Sequence, residues 1–247
     1  MNIYLTIAFL FTVGSLAGWV IEFFFRHYFS SDNPQHKWVN PGFCTGPYLP
    51  LYGFGLVALF LLSIVSEHYN MFSSIKLIIV WLLLITIILT AIEYIAGIIC
   101  LKVFHVKLWD YSDCWGNFQG IICPLFSLFW TILGVIYLLF IHQHIINLLI
   151  WLSNNLAFSF FVGMFYGVFI IDLVHSSNLL VKIKKFADEN EVIVHIEKIK
   201  AEIIRIKQER KEKNNIFAQL STSHKHLNEI LSEVKEQISE IVSNKSK

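Results

Sequence analysis

Residues 75–101 read IKLIIVWLLLITIILTAIEYIAGIICL, and this stretch decides the fold class. A bilayer's hydrocarbon core is about 30 Å thick and takes roughly 20 apolar residues in a helix to cross. The run is longer than that, and only Lys76 and Glu93 interrupt it with charge. It reads as a membrane-spanning helix. The whole chain agrees. Its 247 residues are 55% hydrophobic and only 15% charged, with a mean hydropathy of +0.60, a profile soluble domains rarely show.

Working outward, four further segments are long and apolar enough to span: Ile3–Phe29, Pro47–Ser66, Gln119–Ile141 and Leu156–Val181. The first lacks the basic n-region and small-residue cleavage site of a secretory leader, so it counts as a span. Charges are sparse up to Val181 and dense beyond it. The chain therefore divides into a transmembrane domain, 1–181, and a polar tail, 182–247. The expected fold is all-α: a polytopic membrane protein with five transmembrane helices. The net charge of +1 averages over both parts and says nothing about partners.

Lysine and arginine placement sets the orientation. Arg26 and Lys37 follow helix 1, Lys102 and Lys107 follow helix 3, and Lys182, Lys184 and Lys185 follow helix 5. The opposite turns hold only Lys76. With five spans, the N-terminus lies outside and the tail in the cytoplasm of a plasma membrane. All four cysteines, Cys44, Cys100, Cys114 and Cys123, then fall near the cytoplasmic side, where free thiols are expected, and none forms a CxxC pair. No metal site and no cofactor are expected.

Within the spans, three carboxylates recur at one level. Glu93 is nine residues before Lys102, about 13 Å from that edge, and Asp172 is ten before Lys182, about 15 Å. Glu22 reaches a comparable depth. An ionised group at the bilayer centre costs at least ~2.5–3.5 kcal/mol, so such groups face protein or water and find partners. Arg26 stands one turn after Glu22, in the favourable order for a helical ion pair. Glu93 and Asp172 have no sequence-local cation: either they carry a proton or something positive comes to them. Gly14, Gly18, Glu22 and Arg26 step along one face of helix 1, joining a GxxxG contact surface to the acid. Thr86, Thr90, Glu93 and Gly97 form a similar stripe on helix 3. Helix 5 has a Gly163–Gly167 pair, while Asp172 groups with His175 and Ser176. Two readings stand side by side, structural glue between packed helices and a cavity site for a ligand, ion or proton.

Helices 1–2 also resemble helices 3–4. GWVIEFFF and LTAIEYIAG each end an odd helix, and GPYLPLY and GIICPLF each precede the next. Gly46 aligns with Gly120, Pro50 with Pro124, Leu51 with Leu125 and Tyr52 with Phe126. Both odd helices run the same way, so this is a parallel repeat, an arrangement in which transporters place sites at the repeat interface. The alternative is that glycine and proline merely mark helix starts.

The loops on the basic side carry NPGFCTGPYLPLYGFG and LWDYSDCWGNFQG. Trp109 and Trp115 suit interfacial anchoring. Asp110, Tyr111 and Asn117 do not fit that role as well. Glycine-rich backbone at a helix start can offer N–H groups to an anion. No Walker-type GxxxxGK, nucleophile elbow or HExxH is present, so the chain carries no ATP site of that kind and reads as no enzyme. A catalytic use of the carboxylates as general acid and base lacks an accompanying nucleophile or metal constellation.

At these motifs a family resemblance enters. GW…E in helix 1, GF…GP…P.YG in the first loop, EY in helix 3 and WDYS…N..G after it resemble the CmpB-like family of ABC-transporter type IV membrane proteins, over Ile3 to Ile141. The resemblance implies a permease-like role, and as an ABC subunit the chain would work with a separate ATPase. It marks Glu22, Gly42, Gly46, Pro47, Pro50, Tyr52, Gly53, Glu93, Trp109, Asp110, Tyr111, Asn117 and Gly120. The tail departs from it. There, Val192, Ile199, Ile206, Leu220, Leu227, Val234 and Ile241 keep heptad spacing, as do Ile196, Ile203, Phe217, Leu231 and Ile238. A long cytoplasmic coiled-coil helix with a second copy as partner follows. A hairpin turning at Asn214–Asn215 is the alternative.

The leading expectation is a transport protein or permease-like subunit with an acidic cavity near the cytoplasmic leaflet. Its substrate-binding residues would be Glu22, Arg26, Glu93, Asp110, Tyr111, Asn117 and Asp172. The competing one is a membrane scaffold or sensor acting through its coiled coil. The lipid bilayer is the one certain partner, and nothing points to nucleic acid.

Overall fold

In the computed structural model, the described residues are 2–30, 33, 36–104, 106–190 and 194–195. Six α-helices fill them: α1 (Ile3–Tyr28), α2 (Pro50–His68), α3 (Ile75–Phe104), α4 (Pro124–Ile136), α5 (His142–Asn154) and α6 (Ser159–Asn190). A π-helical turn, Tyr137–Ile141, fuses α4 to α5, and a 3₁₀ turn, Leu156–Phe158, leads into α6. Five stretches are long and apolar enough to cross a membrane, with Pro124–Asn154 counting as one. The chain is a multi-pass helical membrane protein.

The helix starts are written locally. Asn2 caps α1 by accepting the Tyr4 N–H at 3.1 Å. Pro50 and Pro124, the two prolines aligned between the similar halves, each occupy the first turn of a helix, where the missing N–H costs nothing. Helix 4 departs from expectation at both ends. It does not begin at Gln119, because Gln119 and Gly120 both take positive φ (57° and 67°) and close a turn instead. Nor does it stop at Ile141, since the π turn carries it on to Asn154.

Leu10, Leu59, Leu62, Trp81, Ile85 and Tyr137 form the main core, joined by Ile145 and Leu149 from α5. Large apolar side chains such as Leu139, Phe160 and Ile171 point outward and exposed, a surface suited to lipid and not to water. Two kinds of contact hold the helices. Between α1 and α2 the backbones nearly touch: a Cβ on Gly53 would stand 2.8 Å from the Phe11 carbonyl oxygen and 2.3 Å from Ser15 Oγ. Between α3 and α4, hydroxyls meet, Thr86 Oγ1 with Thr131 Oγ1 at 2.6 Å and Thr90 donating to Ser127 Oγ at 3.0 Å. The glycine and threonine stripes therefore pack as their spacing suggested. The Gly163–Gly167 pair does not, for a Cβ at either position meets no described atom within 4 Å.

Helix α6 passes the expected boundary at Val181 without a break. Beyond it, Val194–His195 pairs in parallel with Val106–Lys107. These two residues of the expected coiled coil are thus extended. The rest of the coiled coil, and the pairing of two copies through it, lies outside the described residues.

Candidate functional site

The loop-bearing end of the bundle holds four polar constellations, and their residues are best built one at a time. On α1, Gly18 leaves the room that the Tyr52 ring occupies: a Cβ there would fall 2.1 Å from Tyr52 Cγ. One turn on, Glu22 accepts the Tyr52 hydroxyl at 2.9 Å and the Arg26 Nε–H at 3.2 Å. Both charged side chains are mostly buried. The i,i+4 pair read from the sequence forms, with a tyrosine added from α2.

Glu93 on α3 is 1% exposed. It accepts the Tyr111 hydroxyl at 3.0 Å, and the Trp130 indole of α4 lies beside it. Among the described residues no cation pairs with it. Tyr111 stacks on Phe126 at 4.1 Å between centroids. Burial, then the adjacent Glu93 carboxyl, pushes its hydroxyl well above the usual phenol range, with Glu22 and Tyr52 adding to the effect. Glu22 and Glu93 thus belong to one electrostatic neighbourhood bridged by two tyrosines.

Asp172 stands apart from it. Its carboxylate accepts the Thr45 N–H at 3.2 Å, the Gly46 N–H at 2.8 Å, the Ser176 hydroxyl at 3.0 Å and the Tyr48 hydroxyl. Four donors replace the missing cation. The acid pins the first loop, on the α1–α2 side, to α6. The expectation that all three acids share one pocket is corrected here: Asp172 faces loop backbone because that backbone turns its N–H groups toward α6.

The fourth constellation builds the loop between α3 and α4. Lys107 Nζ donates to Asp110 at 3.0 Å, and the Ser112 N–H donates to the same oxygen at 3.1 Å. Asn117 donates to the Ser112 and Cys114 carbonyls and accepts the Gly120 N–H at 3.1 Å. At Gly120, the left-handed backbone leaves no space for a side chain, since a Cβ would lie 2.7 Å from Asp110 Oδ1. Asp110 and Asn117 therefore shape the loop and stay off the cavity wall. Burial alone would raise the Asp110 pKa, but hydrogen bonds from Ser112 and Lys107 outweigh it and hold the carboxyl below its ordinary 3.8. A depressed carboxyl stabilises the fold above its unfolded value, and that contribution vanishes as pH falls through the folded one. Protection of the amides in residues 106–120, taken relative to the intrinsic exchange rate at each pH, should therefore fall as pH drops below 3.8. Asp110→Asn should show fast exchange already at neutral pH and no acid step there. An identical acid step in that variant would assign the effect elsewhere.

Between these constellations lies a cavity of about 710 Å³, within the range of small-molecule sites. It is lined by α1, the first loop, α2, α3, the start of the α3–α4 loop, and Leu173 and Ser177 of α6. Among the described residues Glu22 and Arg26 are the charged ones on its wall, and Tyr52, Asn40 and Trp109 add polar atoms. Trp109 is no simple surface anchor, because its Nε1–H donates to the Ile121 carbonyl at 2.8 Å and its ring packs over Gly97. Trp115, by contrast, is 87% exposed. Two contributors escaped sequence reasoning. Asn40, which accepts the Trp19 Nε1–H at 2.7 Å and donates to the Cys44 and Thr45 carbonyls, looks like any loop asparagine. Tyr48 had one available signal, its place between Pro47 and Pro50.

A polytopic helical protein with a partly open cavity and an ion pair on its wall has the outline of a membrane transport component. The family model described as "Putative ABC-transporter type IV" matches residues 9–177, and the chain belongs to that family. The match takes in α6 through Ser177, beyond the Ile141 limit read from the sequence motifs. No curated protein and no solved structure matches the chain.

Proposed function

We propose that the chain is a non-enzymatic, permease-like subunit that moves a solute across the plasma membrane together with a separate ATPase subunit. Its N-terminus lies outside, and its tail, a second domain from residue 182, lies in the cytoplasm and pairs two copies. The solute enters the cavity between the α1–α2 half and the α3–α4 half, which stand as a parallel repeat. The observation that carries this reading is the cavity of about 710 Å³ with the Glu22–Arg26 ion pair on its wall. Membership of a family described in ABC-transporter terms supports the same class. The neighbouring Glu93–Tyr111 pair supplies a fixed polar backing, and Asp110 and Asn117 hold the loop that carries Trp109.

Cells lacking the gene test it when complemented with wild type, Glu22→Gln or Ala96→Trp, followed by untargeted comparison of internal and external solutes and lipids. Removing half of a buried ion pair or filling the cavity should cut the restored flux at least about tenfold, the effect of ~1.4 kcal/mol. Full restoration by both variants at normal protein levels would rule the cavity out as the path. The scaffold or sensor reading has one observation in its favour, the continuity of α6 from the Asp172 latch toward the tail. In the same strains, a chain ending at residue 190 that restores nothing, while both cavity variants restore fully, would favour that reading instead.

A further inference from the structure

We propose that Cys114 and Cys123, in the loop between α3 and α4, are a modification site: a dithiol that a peroxide converts to a reversible disulfide. CxxC spacing does not mark the pair, since nine positions separate the two. The backbone brings them together. The Asn117 N–H donates to the Cys114 carbonyl at 3.3 Å, which closes a turn and sets its two ends close. Phe118 pairs antiparallel with Ile122, its N–H donating to the Ile122 carbonyl at 2.8 Å. That register puts residue 117 opposite residue 123, and a Cβ on Gly116 would meet Pro124 Cγ at 3.2 Å. Turn and bridge together carry Cys114 to Cys123. Both cysteines are unbonded, and their thiols stand within hydrogen-bonding reach of each other.

Exposure divides the roles. Cys123 is 2% exposed while Cys114 is half-buried, so an oxidant meets Cys114 first. With hydrogen peroxide, the Cys114 thiolate attacks one oxygen and the O–O bond breaks. The displaced hydroxide takes up the thiol proton as water, and Cys114 is left as a sulfenic acid. The Cys123 sulfur then displaces that hydroxyl. An S–S bond replaces the S–O bond, and the second hydroxide leaves as water with the Cys123 proton. Both thiols are oxidised and the peroxide is reduced to water. Burial, then Cys123 and Asp113, keep the Cys114 thiol protonated to higher pH than an ordinary cysteine. Little thiolate is present at rest, so the pair answers an excess of peroxide and ignores a trace.

The bond closes a ring over residues 114–123. Inside it lies Ile121, whose carbonyl accepts the Trp109 Nε1–H at 2.8 Å and so fixes Trp109 on the cavity wall. Cys123 itself precedes the Pro124 that opens α4. Oxidation therefore staples the loop to the helix start and stiffens one wall of the cavity. On the cytoplasmic side, where the proposed orientation puts this loop, thiols rest reduced and a disulfide is transient.

The test treats reduced full-length protein in detergent with hydrogen peroxide, then denatures it and alkylates it with N-ethylmaleimide. Wild type should yield a peptide pair joined Cys114 to Cys123, with Cys44 and Cys100 alkylated. Dithiothreitol should return the pair to thiols. Protection of the amides in residues 112–123 should rise about tenfold on oxidation, well within what closing a loop of this size supplies. Cys123→Ser lacks the second sulfur, so peroxide should drive Cys114 on to sulfinic acid, and dimedone should trap the sulfenic acid on the way. Amide protection in that variant should not rise. The wild-type measurements stand by themselves if the variant unfolds. Four results overturn the inference: Cys114 linked only between two copies, Cys114 over-oxidised in wild type with no disulfide, a disulfide that leaves protection unchanged, or a Cys114–Cys123 bond already present in protein from unstressed cells quenched with N-ethylmaleimide. The last would make the bond a permanent staple. No readout here depends on what the cavity carries, so this inference and the transport reading fail separately.

Discussion

Gly53→Ala is expected to part α1 from α2 and to cost about 3 kcal/mol or more, the upper end of overpacking penalties. The new methyl would sit 2.8 Å from the Phe11 carbonyl oxygen and 2.3 Å from Ser15 Oγ. A hydroxyl can rotate away, but a helix backbone cannot. Gly163→Ala is the control. Its Cβ meets no described atom within 4 Å, so alanine should be neutral, or gain the ~0.5–1 kcal/mol that glycine costs a helix. Denaturant titration of both variants in bicelles decides the matter. If the two melt alike, the close approach of α1 and α2 is not real. Because Gly53 follows Tyr52, the damaged variant should also loosen the Tyr52–Glu22 contact that organises the cavity mouth.

The second large effect belongs to Asp172→Ala. Losing the carboxylate strands two backbone N–H groups, the Tyr48 hydroxyl and the Ser176 hydroxyl. A donor left without a partner costs ~1–3 kcal/mol, less where water can reach it, so a total of about 3 kcal/mol is expected. Tyr48 is buried and bears the most. Hydrogen exchange at Thr45 and Gly46 should accelerate sharply, with Asp172→Asn in between because its amide keeps one acceptor oxygen. Protection at those two amides unchanged in Asp172→Ala would mean the latch is not what orders the loop. Leu173 and Ser177 line the cavity from the same turn of α6, so the variant loosens the wall along with the loop.

How far such features were legible depends on their range in sequence. The spans were legible because apolar run length is a local property, as in Ile75–Leu101. The Glu22–Arg26 pair was legible because four residues along a helix is one turn. The contact faces of Gly14–Gly18 and Thr86–Thr90 followed from the same periodicity. Asp172 was visible as an anomaly, yet its partners were not. They lie more than a hundred residues away, and two are main-chain N–H groups that any sequence possesses. The cavity was invisible for the same reason, since its lining comes from six parts of the chain far apart in sequence. Asp110 and Asn117 were noticed for their chemistry, but their chemistry is spent on their own loop. A resemblance to relatives marks such residues without distinguishing the wall from its scaffolding.

The π turn at Tyr137–Ile141 has a geometric consequence. Winding five residues i→i+5 accommodates one residue beyond what an unbroken α-helix would hold, so every later side chain sits about 100° back in azimuth from where an unbroken helix would place it. Before it, Gly134 lies against Ile85 of α3. After it, His142 Nδ1 shares a hydrogen bond with the Tyr137 hydroxyl at 2.8 Å, and its Nε2 comes 3.6 Å from Glu67 at the end of α2. One rod thus presents two differently phased faces to two neighbours. Deleting one residue in that window would let the turn close as α-helix with Ile145 and Leu149 still in the core, whereas adding one would turn the whole run to Asn154 by about 100° and swing them toward lipid.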